Sequence, residues 1–101
     1  MRMIIFFDLP NTTKAENREY VKFVKNIKRL GFSMFQESVY TKLCLNESVS
    51  SATEKDIKRI LPKDGFVSLL TLTEVQFNSI QNLVGELDTD VIINDDRVIK
   101  L

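Results

Sequence analysis

The sequence contains no histidine and a single cysteine, Cys44. Without histidine, the chain lacks the usual general base, the serine–histidine and cysteine–histidine nucleophile systems, and the commonest metal ligand. A lone cysteine excludes an intrachain disulfide and a cysteine-based zinc site, and it suits a reducing compartment. Any hydrolytic chemistry would therefore have to depend on a metal ion held by carboxylates.

Long apolar runs are also missing. The apolar start, residues 1–7, is too short for the core of a signal peptide, and no segment approaches the ~20 apolar residues of a membrane helix. We therefore expect a cytoplasmic protein with no membrane association. A chain of 101 residues that is 44% hydrophobic and 28% charged is typical of a single globular domain, which we place over residues 1–101.

The formal net charge is zero, but the charges are unevenly distributed. Residues 1–63 carry 12 Lys/Arg and 7 Asp/Glu, whereas residues 64–101 carry 2 and 7. Such asymmetry indicates one basic surface and one acidic surface, although it also arises by chance in a chain this short.

The pattern of apolar residues and turn signals predicts an alternation of strands and helices. Residues 3–7 predict a strand that ends at Asp8. Thr13 and Glu16 have capping-box spacing and predict a helix to about Leu30, which Gly31 ends. Residues 32–45 predict one bent strand or two short ones. A second helix follows, capped at Asn46 or Ser51 and ended by Pro62 and Gly65. After it we predict a strand at residues 66–73, a helical turn at 73–80 and a short strand at 83–84.

The last apolar runs predict a C-terminal strand extension over residues 86–101, in which Asp95 and Asp96 are typical of a turn. The order β-α-β-β-α-β predicts an α+β, ferredoxin-like fold with two helices on one face of an antiparallel sheet. The first strand is apolar on both faces, so the other face also needs a cover. The cover is either a second copy, giving a homodimer through the sheet face that the C-terminal extension helps to form, or the chain's own C-terminal segment.

Five basic residues recur along the first helix at spacings of three or four. At 3.6 residues per turn they share one face, opposite the apolar residues of the same helix. A stripe of one sign suits a polyanion, because each neutralised phosphate releases counterions, although a solvated surface is the other interpretation. The candidate nucleic-acid-binding residues are Lys14, Arg18, Lys22, Lys25 and Arg29.

Asp8 stands where the first strand ends, which makes it a candidate metal ligand and catalytic residue. One carboxylate is a poor magnesium site, because Mg²⁺ requires near-octahedral oxygen coordination. A two-fold axis near this strand end would bring a second Asp8 and create a shared Mg²⁺ site at the dimer interface. The alternative is an Asx turn that terminates the strand.

Several strings, taken together and in order, resemble the CRISPR-associated protein 2 family over essentially the whole chain. They are Ile-Ile-Phe-Phe-Asp-Leu-Pro at residues 4–10, Leu-Gly-Phe at 30–32, Gln-Glu-Ser-Val-Tyr at 36–40, Lys-Leu-Cys-Leu-Asn at 42–46, Leu-Thr-Leu-Thr-Glu at 70–74, and Gln-Phe at 76–77. The Leu-Asn and Thr-Glu-x-Gln-Phe strings look most like members that accompany a single large effector nuclease.

The resemblance implies a ferredoxin-like homodimer that acts in CRISPR spacer acquisition. Such a dimer would bridge copies of the integrase, CRISPR-associated protein 1, and carry a double-stranded prespacer DNA. The family's strand-end aspartate falls on Asp8, which implies the alternative function of a magnesium-dependent endonuclease acting on RNA or DNA.

A third possibility, independent of the family resemblance, is an RNA-binding module of the same fold class. Such a module needs more exposed aromatic residues than Phe66 alone provides near residues 63–67.

Overall fold

Three helices and four strands make up residues 1–85, the part of the chain that this computed structural model describes. In chain order they are β1 Arg2–Asp8, α1 Lys14–Arg29, β2 Ser33–Gln36, β3 Val39–Leu43, α2 Glu47–Arg59, β4 Phe66–Leu72 and α3 Glu74–Asn78. The strands form an antiparallel sheet in the order β2-β3-β1-β4. The predicted ferredoxin-like, α+β architecture is confirmed. The strand extension predicted over residues 86–101 lies outside the described residues.

Local signals set the limits of α1. The Thr13 hydroxyl accepts from the backbone N–H of Glu16, and the Glu16 carboxylate accepts from the backbone N–H of Thr13, which completes the predicted capping box. The helix ends at Arg29 with Leu30 as its C-cap, and Gly31, with a φ of +102°, reverses the chain so that Phe32 N–H reaches the Ile27 carbonyl. The cap of α2 is Asn46, the first of the two predicted candidates.

The main core lies between the sheet and the pair α1 and α2. Alternate residues of β1 (Met3, Ile5 and Phe7) face these helices and pack with the apolar sides of α1 and α2, including Phe23, Ile27 and Ile57. Phe7 stacks on Tyr40 at 5.9 Å between ring centroids. Burial, followed by the charge of Tyr20, raises the pKa of the Tyr40 phenol.

The opposite face of the sheet, here called the second face, is only partly covered. The short helix α3 crosses one end of it, where Phe77 is 3% exposed and meets the Phe35 ring at 5.7 Å. The sequence predicts a second copy or the C-terminal segment as this cover, and no local pattern assigns the role to α3. Beyond α3, Phe6, Leu70 and Phe66 remain 43%, 50% and 75% exposed.

One element predicted from the sequence is wrong. Leu83 and Val84 were expected to form a short strand, but both are strongly exposed and lie outside the sheet formed by the described residues. Two apolar residues beside Gly85 do not make a strand unless a neighbouring strand supplies hydrogen bonds and burial. No helix among residues 1–85 is long and apolar enough to cross a membrane.

Candidate nucleic-acid interface and strand-end carboxylate

The predicted basic stripe lies on the solvent side of α1. Its five residues are all exposed, whereas Phe23 and Ile27 on the opposite side of the helix are buried in the core. From Lys14 to Arg29 the stripe extends about 22 Å, at 1.5 Å per residue. The periodicity of the sequence therefore predicted the orientation of this helix correctly.

No residue of the stripe forms an ion pair within residues 1–85. The ion pairs of this region join Arg2 to Glu74 and Arg59 to Asp56, so neither involves the stripe. Glu16 turns back to the N-terminus of α1, where it accepts hydrogen bonds from Thr12 and Thr13. These bonds, those from Thr12 first, lower the pKa of Glu16. The five cations are thus free of carboxylate partners within the described residues.

A groove of about 190 Å³ separates the middle of α1 from the C-terminal end of α2. Lys22 and Asn26, one turn apart on α1, line one side, and Arg59 lines the other. Glu19 stands at the same groove. Arg59 was not predicted, because only the packing of α2 against α1 brings it to the same groove as Lys22. Its position in the last turn of α2 offered no signal by itself.

A second cavity, of about 460 Å³, is lined in part by Leu9 and Pro10, the two residues that follow Asp8 in the chain. Its charged residues have both signs. Arg18 and Lys63 share the lining with three carboxylates, those of Glu16, Glu19 and Asp64, with which they form no ion pair. This mixture makes the cavity a poor phosphate site.

Asp8 is exposed at the last position of β1, opposite Phe66 of β4. By the alternation of a strand, its side chain points to the second face, as Phe6 does. Gly65 lies against this strand end, because a Cβ at that position would come within 2.6 Å of the Asp8 carbonyl oxygen. In the sequence, Gly65 signals only the end of a helix, and no local pattern predicts this close approach.

The donor set of one chain does not by itself fit Mg²⁺ at Asp8. Among residues 1–85 there is no group of three or more acidic, cysteine or histidine side chains that would hold a metal ion. Magnesium prefers about six oxygen ligands, so a single carboxylate leaves most of the coordination to water or to a partner. A site at Asp8 therefore requires a second copy or the phosphates of a substrate.

Arg2 fastens α3 to the sheet. Its guanidinium donates two hydrogen bonds to the Glu74 carboxylate, at 2.9 and 2.7 Å, and lies 4.3 Å from the centre of the Phe77 ring. The hydrogen bonds from Arg2 lower the pKa of Glu74, and the charges of Arg2 and of the N-terminus act in the same direction.

The basic stripe and Asp8 lie on different sides of the molecule: the stripe lies on the helix layer and Asp8 at the edge of the second face.

Comparison of the amino-acid sequence with known proteins identifies the family of this chain. A sequence model described as CRISPR associated protein Cas2 matches residues 1–80. The chain is 44% identical over its full length to the CRISPR-associated endoribonuclease Cas2 of Ligilactobacillus salivarius, and it covers all of that protein. It is 45% identical to the protein of the same name from Streptococcus mutans UA159, of which it covers 93%, and 39% identical to that of Treponema denticola, all of which it covers. The resemblance seen in the sequence is confirmed, and the chain belongs to the CRISPR-associated protein Cas2 family.

Proposed function

We propose that this protein is a DNA-bridging subunit of the CRISPR spacer-acquisition complex. Two copies would form a homodimer that joins copies of CRISPR-associated protein 1 and carries a double-stranded prespacer across their helix layers. The observation that carries this proposal is the basic stripe of α1 (Lys14, Arg18, Lys22, Lys25 and Arg29), which is exposed and free of carboxylate partners within residues 1–85.

The physics of the stripe favours binding to a phosphate backbone without base recognition. Lysine and arginine neutralise phosphates and release counterions, which gives affinity that depends on salt rather than on sequence. Like charges spaced by four residues on one helix cost a few tenths of a kcal/mol each, so a helix needing only solubility gains nothing from a single sign. A scaffold that accepts prespacers of many sequences needs this kind of contact.

The second face supports the dimer. Phe6, Leu70 and Phe66 leave an apolar surface beyond α3 that a monomer would expose to water. A second copy placed on this face would bury it and would leave both basic stripes on the outside of the dimer.

The test is the salt dependence of duplex DNA binding by the purified protein, measured by fluorescence anisotropy. Lys25→Gln removes one stripe cation, so the slope of log K against log salt should become shallower by about 0.9 if one phosphate contact is lost. Lys58→Gln removes the same charge from the exposed surface of α2 and is the matched control. Equal slopes for Lys25→Gln and Lys58→Gln would contradict the role of the stripe.

The second candidate function is a metal-dependent endoribonuclease. Two observations favour it: relatives carry the name endoribonuclease, and Asp8 is exposed at the edge of the face proposed for dimerisation. Two Asp8 carboxylates brought together by the two-fold axis would hold a divalent cation. Such an ion, when bound, lowers the pKa of a water molecule and so supplies a nucleophile to a chain whose sequence contains no histidine.

Cleavage of a single-stranded RNA in the presence of Mg²⁺ tests this second candidate. Asp8→Asn keeps the size of the side chain and removes its charge, so we expect at least a hundredfold loss of rate, on the order of one essential acid–base or metal contact. Asp64→Asn changes an exposed carboxylate of the α2–β4 loop and should cleave as the wild type does. Cleavage that persists in Asp8→Asn, or after chelation, would exclude Asp8 as the source of the activity.

A further inference from the structure

The groove between α1 and α2 is lined by both cationic and apolar side chains. Lys22 comes from α1 and Arg59 from α2. The apolar residues of its lining are Phe23, Ile60, Leu61 and Pro62. Lys22 also belongs to the basic stripe, so the groove opens directly from the surface proposed to bind nucleic acid.

Arg59 is available for a new partner. Its side chain is 76% exposed, and its ion pair with Asp56 uses one nitrogen, Nη1, at 3.3 Å. Exposed ion pairs between residues three apart on a helix contribute little to stability. A phosphate that binds the guanidinium through two parallel hydrogen bonds is a stronger partner than this carboxylate.

The charges of the groove favour an anion. Glu19 is the carboxylate that lines the groove, and it stands against two cations, Lys22 and Arg59. Asn26 adds an amide that is able to donate a hydrogen bond to a phosphate oxygen. The cavity of about 460 Å³ near Asp8 differs in this respect, because its carboxylates outnumber its cations.

We propose that one backbone phosphate of the bound nucleic acid lies in this groove between Lys22 and Arg59. The path of the phosphate backbone then leaves the stripe at Lys22 and reaches Arg59, so the side of α2 that carries Arg59, and not the side that carries Lys58, is part of the interface. This inference rests on the proposed function, because a protein that binds no nucleic acid through α1 would have no such ligand.

A double-mutant experiment on the full-length protein with duplex DNA tests the shared phosphate. Arg59→Gln and Lys22→Gln should each weaken binding, whereas Lys58→Gln, which removes the neighbouring charge in the same last turn of α2, should not. Because both cations hold one phosphate, the double variant should lower the salt slope by about 0.9 rather than the roughly 1.8 expected for two separate contacts. When the salt concentration rises from about 50 to 200 mM, the affinity of the double variant for DNA should therefore fall about threefold less than that of the wild type.

The outcomes separate this inference from the proposed function. A shallower slope for Lys25→Gln, together with identical binding by Arg59→Gln and Lys58→Gln, would overturn the groove and leave the stripe intact. A decrease of about 1.8 in the double variant would overturn the shared phosphate. Unchanged binding by Lys25→Gln would overturn the proposed function itself. Circular dichroism of each variant, which changes one or two exposed side chains, checks that the fold is retained.

Discussion

At the scale of single residues, the position of Asp8 depends on a glycine that is distant in the sequence. Gly65 has a φ of +93°, a region that residues with a Cβ rarely adopt, and it lies against the backbone of Asp8 and Leu9. The neighbouring backbone atoms have no room to move without shifting the end of β1. The strand end therefore presents Asp8 at one defined point of the second face.

Gly65→Ala tests this packing. A Cβ would stand 2.6 Å from the Asp8 carbonyl oxygen and 2.8 Å from Leu9 Cδ2, so we expect a loss of about 2–3 kcal/mol in the free energy of unfolding. Gly31→Ala is the matched control. It also has a positive φ, +102°, but its Cβ would meet only the flexible end of Lys42, at 3.3 Å. Urea denaturation that finds Gly65→Ala no more destabilised than Gly31→Ala would contradict the close packing.

Features that depend only on residues close together in the chain were predictable from the sequence. Thr13 and Glu16 predicted the start of α1, and the spacing of Lys14, Arg18 and Lys22 predicted its exposed face, because both signals act within one or two turns. Arg59 and Gly65 were not found, because each acquires its role from an element far away in the chain. The metal role of Asp8 stays a prediction.

At the scale of elements, α3 is held by a contact that spans most of the described chain. Arg2 and Glu74 are 72 residues apart and form a bidentate pair, with Arg2 largely buried between Glu74 and Phe77. The sequence predicted a helical turn at residues 73–80 from its local signals. It did not predict that this turn would cover the second face, since no local pattern links Arg2 to Phe77.

The pH dependence of stability tests the contribution of this pair. Because the pKa of Glu74 is lowered in the folded protein, the stabilisation is fully present above its ordinary value of 4.5 and is lost as the pH falls through the lowered value. At pH 7, Glu74→Gln should be about 1 kcal/mol less stable than the wild type, since the pair is partly exposed. The difference should shrink towards zero in acid.

Urea denaturation of both proteins between about pH 3 and 7 measures this difference. Asp56→Asn breaks the other, more exposed ion pair of residues 1–85 and should change stability little at any pH. A difference between the wild type and Glu74→Gln that does not vary with pH would mean that charge does not hold α3 in place.

At the scale of the whole molecule, the two surfaces of the sheet have different proposed tasks. The helix layer carries the basic stripe, and the second face carries exposed apolar residues and Asp8. A dimer through the second face would separate them, with DNA outside and the two Asp8 carboxylates inside. Sequence periodicity indicated both surfaces.

The integration of a prespacer duplex by the purified complex with CRISPR-associated protein 1 tests the scaffold function most directly. Wild type, Asp8→Asn and the double variant Lys22→Gln/Lys25→Gln would be compared in complexes of confirmed stoichiometry. A scaffold predicts wild-type integration with Asp8→Asn and weaker integration with the double variant, restored in part at low salt. Loss of integration in Asp8→Asn, with dimer and complex intact, would contradict the scaffold and assign the essential chemistry to Asp8.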